Sequence, residues 1–264
     1  MPLTFVSDRQ KGLIPAVVEV FPTVRHRFCF RHMFENFRIL FKGRHMKRLA
    51  WGASKAYRAI DHKRAMDQMA KDNKLAYLWL KDVPEHTWAR STFDLSSKCE
   101  HVTNNFSEAF NSWMLDVRCK PLHMLLEGYN LKMMGLHFER RIKASEWERD
   151  GKVLVPRAER ILQNRMAKKN RYRLFGQTLY EWCVTSHSTG NRWDVSISQR
   201  SCSCCVWDIT GIPCVHAVAV VMNLNGDLNS LVDEVHKVST YKKAYASGVK
   251  ACASKDNWLE EVHS

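Results

Sequence analysis

Residues 202–216 read CSCCVWDITGIPCVH, and this stretch decides how the C-terminal part of the chain folds. One residue separates Cys202 from Cys204, and one residue likewise separates Cys214 from His216. Nine residues lie between the two pairs. On a β-strand alternate residues share a face, so the strand geometry would present the sulfurs of Cys202 and Cys204 on one side. The Gly-Ile-Pro segment before Cys214 turns the chain, which predicts that Cys214 and His216 open the next helix.

Three thiolates and one imidazole form a closed tetrahedral set for Zn²⁺, with no position left for water. We therefore predict a structural zinc site made of Cys202, Cys204, Cys214 and His216. Cys205 would point to the opposite face of the strand and remain a spare thiol. The alternatives are a chance cluster of buried cysteines and a catalytic zinc ion, which would need an open coordination position.

The flanking sequence predicts a small β-β-α unit around these ligands. Strands are expected over residues 179–186 and 193–203, and a helix over residues 214–223. The pattern C-x-C, a variable gap and C-x-H resembles the SWIM zinc finger. Over residues 179–222 the sequence is similar to the version found in plant Mutator-like transposases and in the transcription regulators domesticated from them. That resemblance implies contact with DNA or with proteins, and no catalysis.

Two acidic residues stand where a helix is expected to begin. Asp8 follows a β-prone run at residues 3–6, and Ser7 with Gln10 forms a capping-box pattern for a helix reaching about Val20. Glu108 lies in NNFSEAFN, which predicts a helix over residues 105–118. Taken alone, each acid is explained as a side chain favoured by the dipole at a helix N-terminus.

Both acidic segments resemble catalytic blocks of Mutator-like transposases. SDRQKGLIPAVVEVFPTVRHRFCFRHMFENF resembles the block with the second acid, and NNFSEAFNSWMLDVR the block with the last acid. The resemblance implies a ribonuclease H-like core, an acid triad that holds two Mg²⁺ ions, and Asp8 and Glu108 as ligands. Cys29 and His32 match a C-x-x-H element of that family.

The resemblance also implies that one acid is missing. The family carries its first Asp on an opening strand upstream of the second block, and Asp8 is only the eighth residue here. We therefore expect Asp8 and Glu108 to be vestigial, the chain to be no active enzyme, and Mg²⁺ to bind only if the triad were complete. The missing strands predict an exposed sheet edge, and with it marginal stability or association of the N-terminal part.

These observations predict a mostly helical α+β fold: a partial ribonuclease H-like core with an all-helical insertion, followed by a small β-β-α zinc finger. Continuous helix is expected over residues 44–90, with further helices over 121–147 and 156–170. The predicted domains are 1–43 (partial core), 44–100 (helical insertion), 101–173 (Glu-bearing and basic helices), 174–225 (finger) and 226–264 (tail).

The chain has a net charge of +14, which favours a polyanionic partner such as DNA. The basicity lies in two blocks, residues 25–64 and 137–173, where Lys and Arg far outnumber Asp and Glu. A solvated helix face is the alternative, although such a face usually mixes signs. The predicted nucleic-acid contacts are Arg44, Lys47, Arg48, Arg165, Lys168, Lys169 and Arg171. The run from Lys168 to Arg171 could serve as a nuclear import signal, so the nucleus is the expected compartment.

No stretch of sequence is long and apolar enough for a membrane span, so no membrane partner is expected. Three functions compete. The first is a transposase-derived zinc- and DNA-binding protein, catalytically silent and acting as a transcription regulator. The second is a Mg²⁺-dependent DDE transposase completed by an upstream segment. The third is an adaptor that binds other proteins through its finger. The third ranks last because adaptors of that kind carry a second Cys/His cross-brace, and here only scattered Cys and His residues follow His216.

Overall fold

A computed structural model describes residues 3–252 of the chain and divides them into two compact units. The first unit contains residues 3–104 and 156–233, and the second contains residues 105–155 and 234–252. The first unit is therefore discontinuous in sequence, since the chain leaves it for about fifty residues and then returns.

Helices dominate both units. They are α1 (Leu13–Val20), α2 (Phe30–Leu40), α3 (Arg44–Lys55), α4 (Ala59–Asp72), α5 (Lys74–Lys81), α6 (Asn105–Trp113), α7 (Leu115–Arg118), α8 (Leu122–Arg149), α9 (Pro156–Met166), α10 (Val206–Thr210), α11 (Val215–Asn223) and α12 (Val238–Ala244). The strands are β1 (Thr4–Ser7), β2 (Arg25–Phe28), β3 (Tyr172–Gly176), β4 (Glu181–Ser186), β5 (Arg192–Ser196) and β6 (Ser201–Cys202). The expected mixed, mostly helical α+β class is confirmed.

The first unit begins with two parallel strands, β1 and β2, joined through α1. Phe5 pairs with His26 in the ladder, and the amide of Cys29 extends it by donating to the carbonyl of Ser7 at 2.6 Å. The predicted capping box at Ser7 is wrong, because α1 begins at Leu13. Ser7 instead ends β1, and its hydroxyl lies 2.7 Å from Nε2 of His26.

Helices α2 to α5 pack around an aromatic core. Trp88 is fully buried, stacks on Phe30 with ring centroids 5.4 Å apart, and donates its indole N–H to the carbonyl of Val83 at 3.1 Å. The expected continuous helix over residues 44–90 is wrong, because α3, α4 and α5 are separate and two short 3₁₀ turns follow them. Asn73 marks one of these breaks, since its side chain caps α5 by accepting the amide of Ala76 at 3.0 Å.

The later part of the first unit is a four-stranded antiparallel sheet in the order β3-β4-β5-β6, packed against α11. Val184, Val195, Trp207 and Val220 form the centre of this second core, and each is essentially buried. The two predicted strands correspond to β4 and to β5 with β6, whereas β3 was not expected. Its five residues occupy the segment where the pattern placed a domain boundary.

The second unit is built on the 28-residue helix α8, about 42 Å long at 1.5 Å per residue. Val117 in α7 packs so closely on Gly128 that a Cβ there would lie 2.6 Å from a valine methyl carbon. Towards its other end, α8 packs against α12. The rings of Trp147 and Tyr241 have centroids 5.1 Å apart, and Arg140 donates a hydrogen bond to the Tyr241 hydroxyl at 3.0 Å. Within residues 3–252, no helix is long and apolar enough to span a bilayer.

Candidate metal centre

A tight turn at the end of β6 presents the first two predicted ligands. The strand ends at Cys202, and the amide of Cys205 donates back to the carbonyl of Cys202 at 2.7 Å. Cys205 adopts the left-handed conformation with φ of 60°, which lets the chain reverse within three residues. Cys202 and Cys204 therefore converge through this turn, and the expected alternation along a strand is not the cause.

The other two ligands open helix α11. Cys214 is the N-cap residue, and its sulfur accepts the amide of Ala217 at 3.5 Å in the position that a Ser or Asp oxygen usually takes. His216 follows in the first helical turn and is buried. The helix start thus fixes both side chains toward the turn that carries Cys202 and Cys204.

The four ligand atoms form one compact group. The sulfurs of Cys202, Cys204 and Cys214 and a ring nitrogen of His216 all lie within 4.8 Å of one another, and all four residues are buried. Nδ1 of His216 lies 3.6 Å from the sulfur of Cys202 and 3.8 Å from that of Cys214. A tetrahedral Zn²⁺ with Zn–S near 2.3 Å and Zn–N near 2.05 Å requires sulfur–nitrogen distances of about 3.6 Å. The spacing therefore fits zinc, with Nδ1 as the histidine ligand.

Two aromatic rings hold the imidazole of His216 in this orientation. Trp193 on β5 stacks on it with centroids 4.1 Å apart and planes inclined by 16°, and Tyr172 on β3 meets it edge-on at 5.0 Å. Sequence reasoning missed both residues, because the contact depends on the pairing of β3, β4 and β5. Stacking and edge contacts of this kind restrict the plane of the imidazole ring, so they help to orient the ligand nitrogen.

The pKa values of two thiols in the cluster move in opposite directions. Burial opposes ionisation of Cys214, but hydrogen bonds from Cys202, from Cys204 and from the amides of Ala217 and His216 hold the pKa of its thiol well below the ordinary value. The pKa of Cys202 is raised, because its proton is held in hydrogen bonds to Cys204 and Cys214 and because the site is buried. A divalent cation would compensate the charge of the additional thiolates, which is the usual linkage between metal binding and deprotonation.

Outside this four-residue set, polar groups fix the backbone on both sides of it. The carboxylate of Asp208 accepts the amide of Cys202 at 3.2 Å, and the carbonyl of Asp208 accepts Nζ of Lys98 at 3.0 Å. Arg165 on α9 donates from Nη1 to the carbonyls of Ile212 and Pro213 at 2.8 and 2.6 Å, immediately before Cys214.

Arg165, one of the predicted nucleic-acid contacts, makes hydrogen bonds within the protein. The residue is partly exposed, and Nη1 of its guanidinium donates to two carbonyl oxygens, so a contact with nucleic acid stays a prediction. Helical periodicity could have indicated these internal contacts. Ala158 and Leu162 are the buried residues of α9, and Arg165 lies three residues after Leu162 on the same helix face.

Cys205, the predicted spare thiol, is not a member of the converging group. Its sulfur lies 3.7 Å from the carbonyl of Ser203, and the residue is partly exposed. Burial raises the pKa of this thiol, with the nearby Asp208 acting in the same direction. All nine cysteines of the chain lie within the described residues, and none forms a disulfide.

Cys29 and His32 lie at the start of α2. Cys29 is fully buried and its sulfur accepts the amide of Asn104 at 3.4 Å, while the neighbouring amide of Phe30 donates to the carbonyl of Val102 at 2.8 Å. His32 is half-buried in the first turn of the helix. Cys29 thus anchors the segment at residues 102–104 to the core of the first unit.

The two predicted catalytic acids lie in different compact units. Asp8 follows β1 in the first unit and is half-buried, and Glu108 is a half-buried residue in the first turn of α6 in the second unit. Among residues 3–252, the Cys/His cluster is the single group of three or more Cys, His, Asp or Glu side chains whose ligand atoms converge on one point.

All seven predicted nucleic-acid contacts are at least partly open to solvent. Arg44, Lys47 and Arg48 are exposed at the start of α3, and Nη2 of Arg48 lies 3.1 Å from Nδ1 of His45. Lys168 and Arg171 are exposed and Lys169 is half-buried just before β3. Two further cations, Arg173 on β3 and Arg192 on β5, are exposed on either side of Thr185 of β4, which pairs with both.

Comparison with known families identifies the finger. Residues 191–225 match the SWIM zinc finger, in agreement with the resemblance seen in its C-x-C and C-x-H pairs. The chain therefore carries a SWIM zinc finger whose buried Cys/His cluster fits Zn²⁺. Comparison of the chain with curated proteins and with solved structures gives no match.

Proposed function

We propose that this chain is a transposase-derived, zinc-binding protein of the nucleus that binds DNA through basic surfaces around its SWIM finger and regulates transcription without cutting DNA. The observation that carries the proposal is the convergence of four buried ligand atoms within 4.8 Å, which lets Zn²⁺ fix the finger in a folded state. Zinc here would have a structural role, because the four donors complete its coordination sphere.

The argument for DNA rests on charge near the finger. Lys168, Arg171, Arg173 and Arg192 are exposed cations on the finger's sheet or on the segment leading into it, within a chain of net charge +14. A shallow pocket of about 550 Å³ beside them is lined by Lys169, Asn170 and Tyr172 among others. Cations and amides in such an arrangement suit the phosphates and sugars of a nucleic-acid backbone.

The argument for transposase ancestry rests on the two sequence blocks around Asp8 and Glu108. The placement of Asp8 supports it, because the residue follows the carboxyl end of a strand in a parallel β-α-β arrangement. Open sheets with parallel strands commonly bind ligands at that edge. This is also the observation that favours the second candidate, a Mg²⁺-dependent DDE transposase.

Binding to labelled duplex DNA tests the proposal directly. The zinc-loaded protein is expected to bind, and prior removal of the metal with a chelator is expected to weaken binding, with recovery when Zn²⁺ is added back. Binding that is unchanged by removal of the metal would contradict a role for the finger. Binding to a protein partner but not to DNA would favour the adaptor function.

A nicking assay distinguishes the two transposase-related functions. The protein is incubated with DNA of a donor end and Mn²⁺, alongside the Asp8→Ala and Glu108→Ala variants. We expect no strand cleavage from any of the three. Cleavage by the parent chain that disappears in both variants would establish the DDE transposase instead.

A further inference from the structure

Arg165 occupies a place that the zinc-site pattern does not account for. It belongs to α9, outside the residues that match the SWIM finger, yet its guanidinium holds the two carbonyls that precede Cys214 at 2.8 and 2.6 Å. These carbonyls belong to the turn that aims Cys214 and His216 at the other two ligands. Both hydrogen bonds come from the same nitrogen, Nη1, so one end of the guanidinium fixes two consecutive carbonyls of the backbone.

The charge of the site calls for a cation nearby. Three thiolates and one neutral imidazole around Zn²⁺ leave a net charge of −1 among four buried side chains. An isolated charge in such surroundings is costly unless an opposite charge compensates it.

Arg165, which is partly buried and bonded to the carbonyl that precedes Cys214, is the cation that meets this need. Burial lowers the pKa of its guanidinium, and the electrostatic interaction with Cys214 is the largest effect that opposes this shift. Arginine remains protonated at neutral pH in such an environment. Arg58 is a weaker candidate, since its guanidinium already makes two hydrogen bonds to Asp61, at 2.6 and 2.8 Å.

We propose that Arg165 is the counter-charge and positioning residue of the metal centre: its guanidinium balances the excess charge of the zinc–thiolate site and holds the turn that delivers Cys214. The proposal rests on the zinc binding proposed above. On this proposal α9 stabilises the metal site, so the metal-binding unit extends beyond residues 191–225 of the family match.

The test compares zinc affinities of the full chain and three variants by competition with a chromogenic chelator. Arg165→Met removes the charge and keeps most of the length, and Arg165→Lys keeps the charge but replaces the guanidinium by an ammonium group. Arg160→Met alters an exposed arginine of the same helix. We expect Arg165→Met to weaken zinc binding about 10- to 100-fold, the range typical of outer-shell partners. Arg165→Lys should lose clearly less, and Arg160→Met should match the parent chain.

Cobalt replacement provides a spectroscopic readout that separates affinity from ligand identity. Co²⁺-loaded Arg165→Met should keep the sulfur-to-cobalt absorption of a three-thiolate tetrahedral site while binding more weakly.

An Arg165→Met variant that binds zinc as tightly as the parent would overturn the proposal, and so would an Arg165→Lys variant that binds zinc as weakly as Arg165→Met. If Arg165→Met does not fold, a tenfold or larger loss in Arg165→Lys overturns the counter-charge role. A parent chain that binds no zinc refutes the proposed function itself.

Discussion

Gly211 turns the chain between α10 and the ligand Cys214 with φ of +70°, in the left-handed region that side chains disfavour. The position is also crowded, because an added Cβ would lie 2.7 Å from the Cβ of Asp233 and 3.2 Å from that of Lys98. Conformation and packing therefore both require glycine here. Gly190, in the turn between β4 and β5, has nearly the same φ of +69° but open space around it.

This pair gives a matched test at the residue scale. Gly190→Ala should lower the free energy of unfolding by about 1–2 kcal/mol, the cost of a left-handed residue with a side chain. Gly211→Ala should lower it by about 2–4 kcal/mol, since steric overlap adds to that cost. Chemical denaturation of the zinc-loaded variants measures both. If both variants lose the same free energy of unfolding, the crowding around Gly211 does not contribute to the cost of the substitution.

The four metal ligands could be predicted from the sequence because they stand within fifteen residues, where local spacing and one turn determine the geometry. The contacts that Arg165 and Trp193 make beside the metal ligands could not be predicted in this way. A charge count does not show whether a guanidinium points into the protein, and the stacking of Trp193 on His216 depends on strand pairing.

At the scale of elements, local patterns predicted which segments are helical better than where helices begin and end. Helices α8 and α9 lie close to the predicted ranges. Strand β3 was missed because its five residues follow a basic helical run and resemble the end of it, whereas its pairing with β4 is a tertiary contact. Hydrophobic periodicity likewise gives no indication that the chain returns to the first unit after α8.

The helical part of the first unit depends on Trp88, which no solvent reaches. Trp88→Ala should lower the free energy of unfolding by about 3–5 kcal/mol, because the cavity adds to the lost burial of the ring. Leu75→Ala is a control on α5, where the side chain is 70% exposed, and should change it by less than about 0.5 kcal/mol. Thermal or chemical unfolding checks both values. A Trp88→Ala variant as stable as the control would contradict the described core.

At the scale of the whole molecule, the positive charge predicts salt-dependent binding to DNA. If Lys168 and Arg171 each contact a phosphate, replacing both by Gln should reduce the slope of log K against log salt by about 1.8, at roughly 0.9 per phosphate. Lys63→Gln with Lys81→Gln removes the same charge from lysines already paired with Asp67 and Glu85 at 2.7 and 2.8 Å, and should leave the slope unchanged. Fluorescence anisotropy at several salt concentrations measures both slopes. Equal changes in the two double variants would refute a specific contact by Lys168 and Arg171.

The zinc content of the purified chain, determined by native mass spectrometry, tests the central claim most directly. The account predicts one zinc ion per chain in the parent protein and in Cys205→Ser, whose sulfur lies outside the converging group, and none in Cys204→Ser. A parent chain that carries no zinc, or a Cys204→Ser variant that holds it as fully as Cys205→Ser does, would contradict the account.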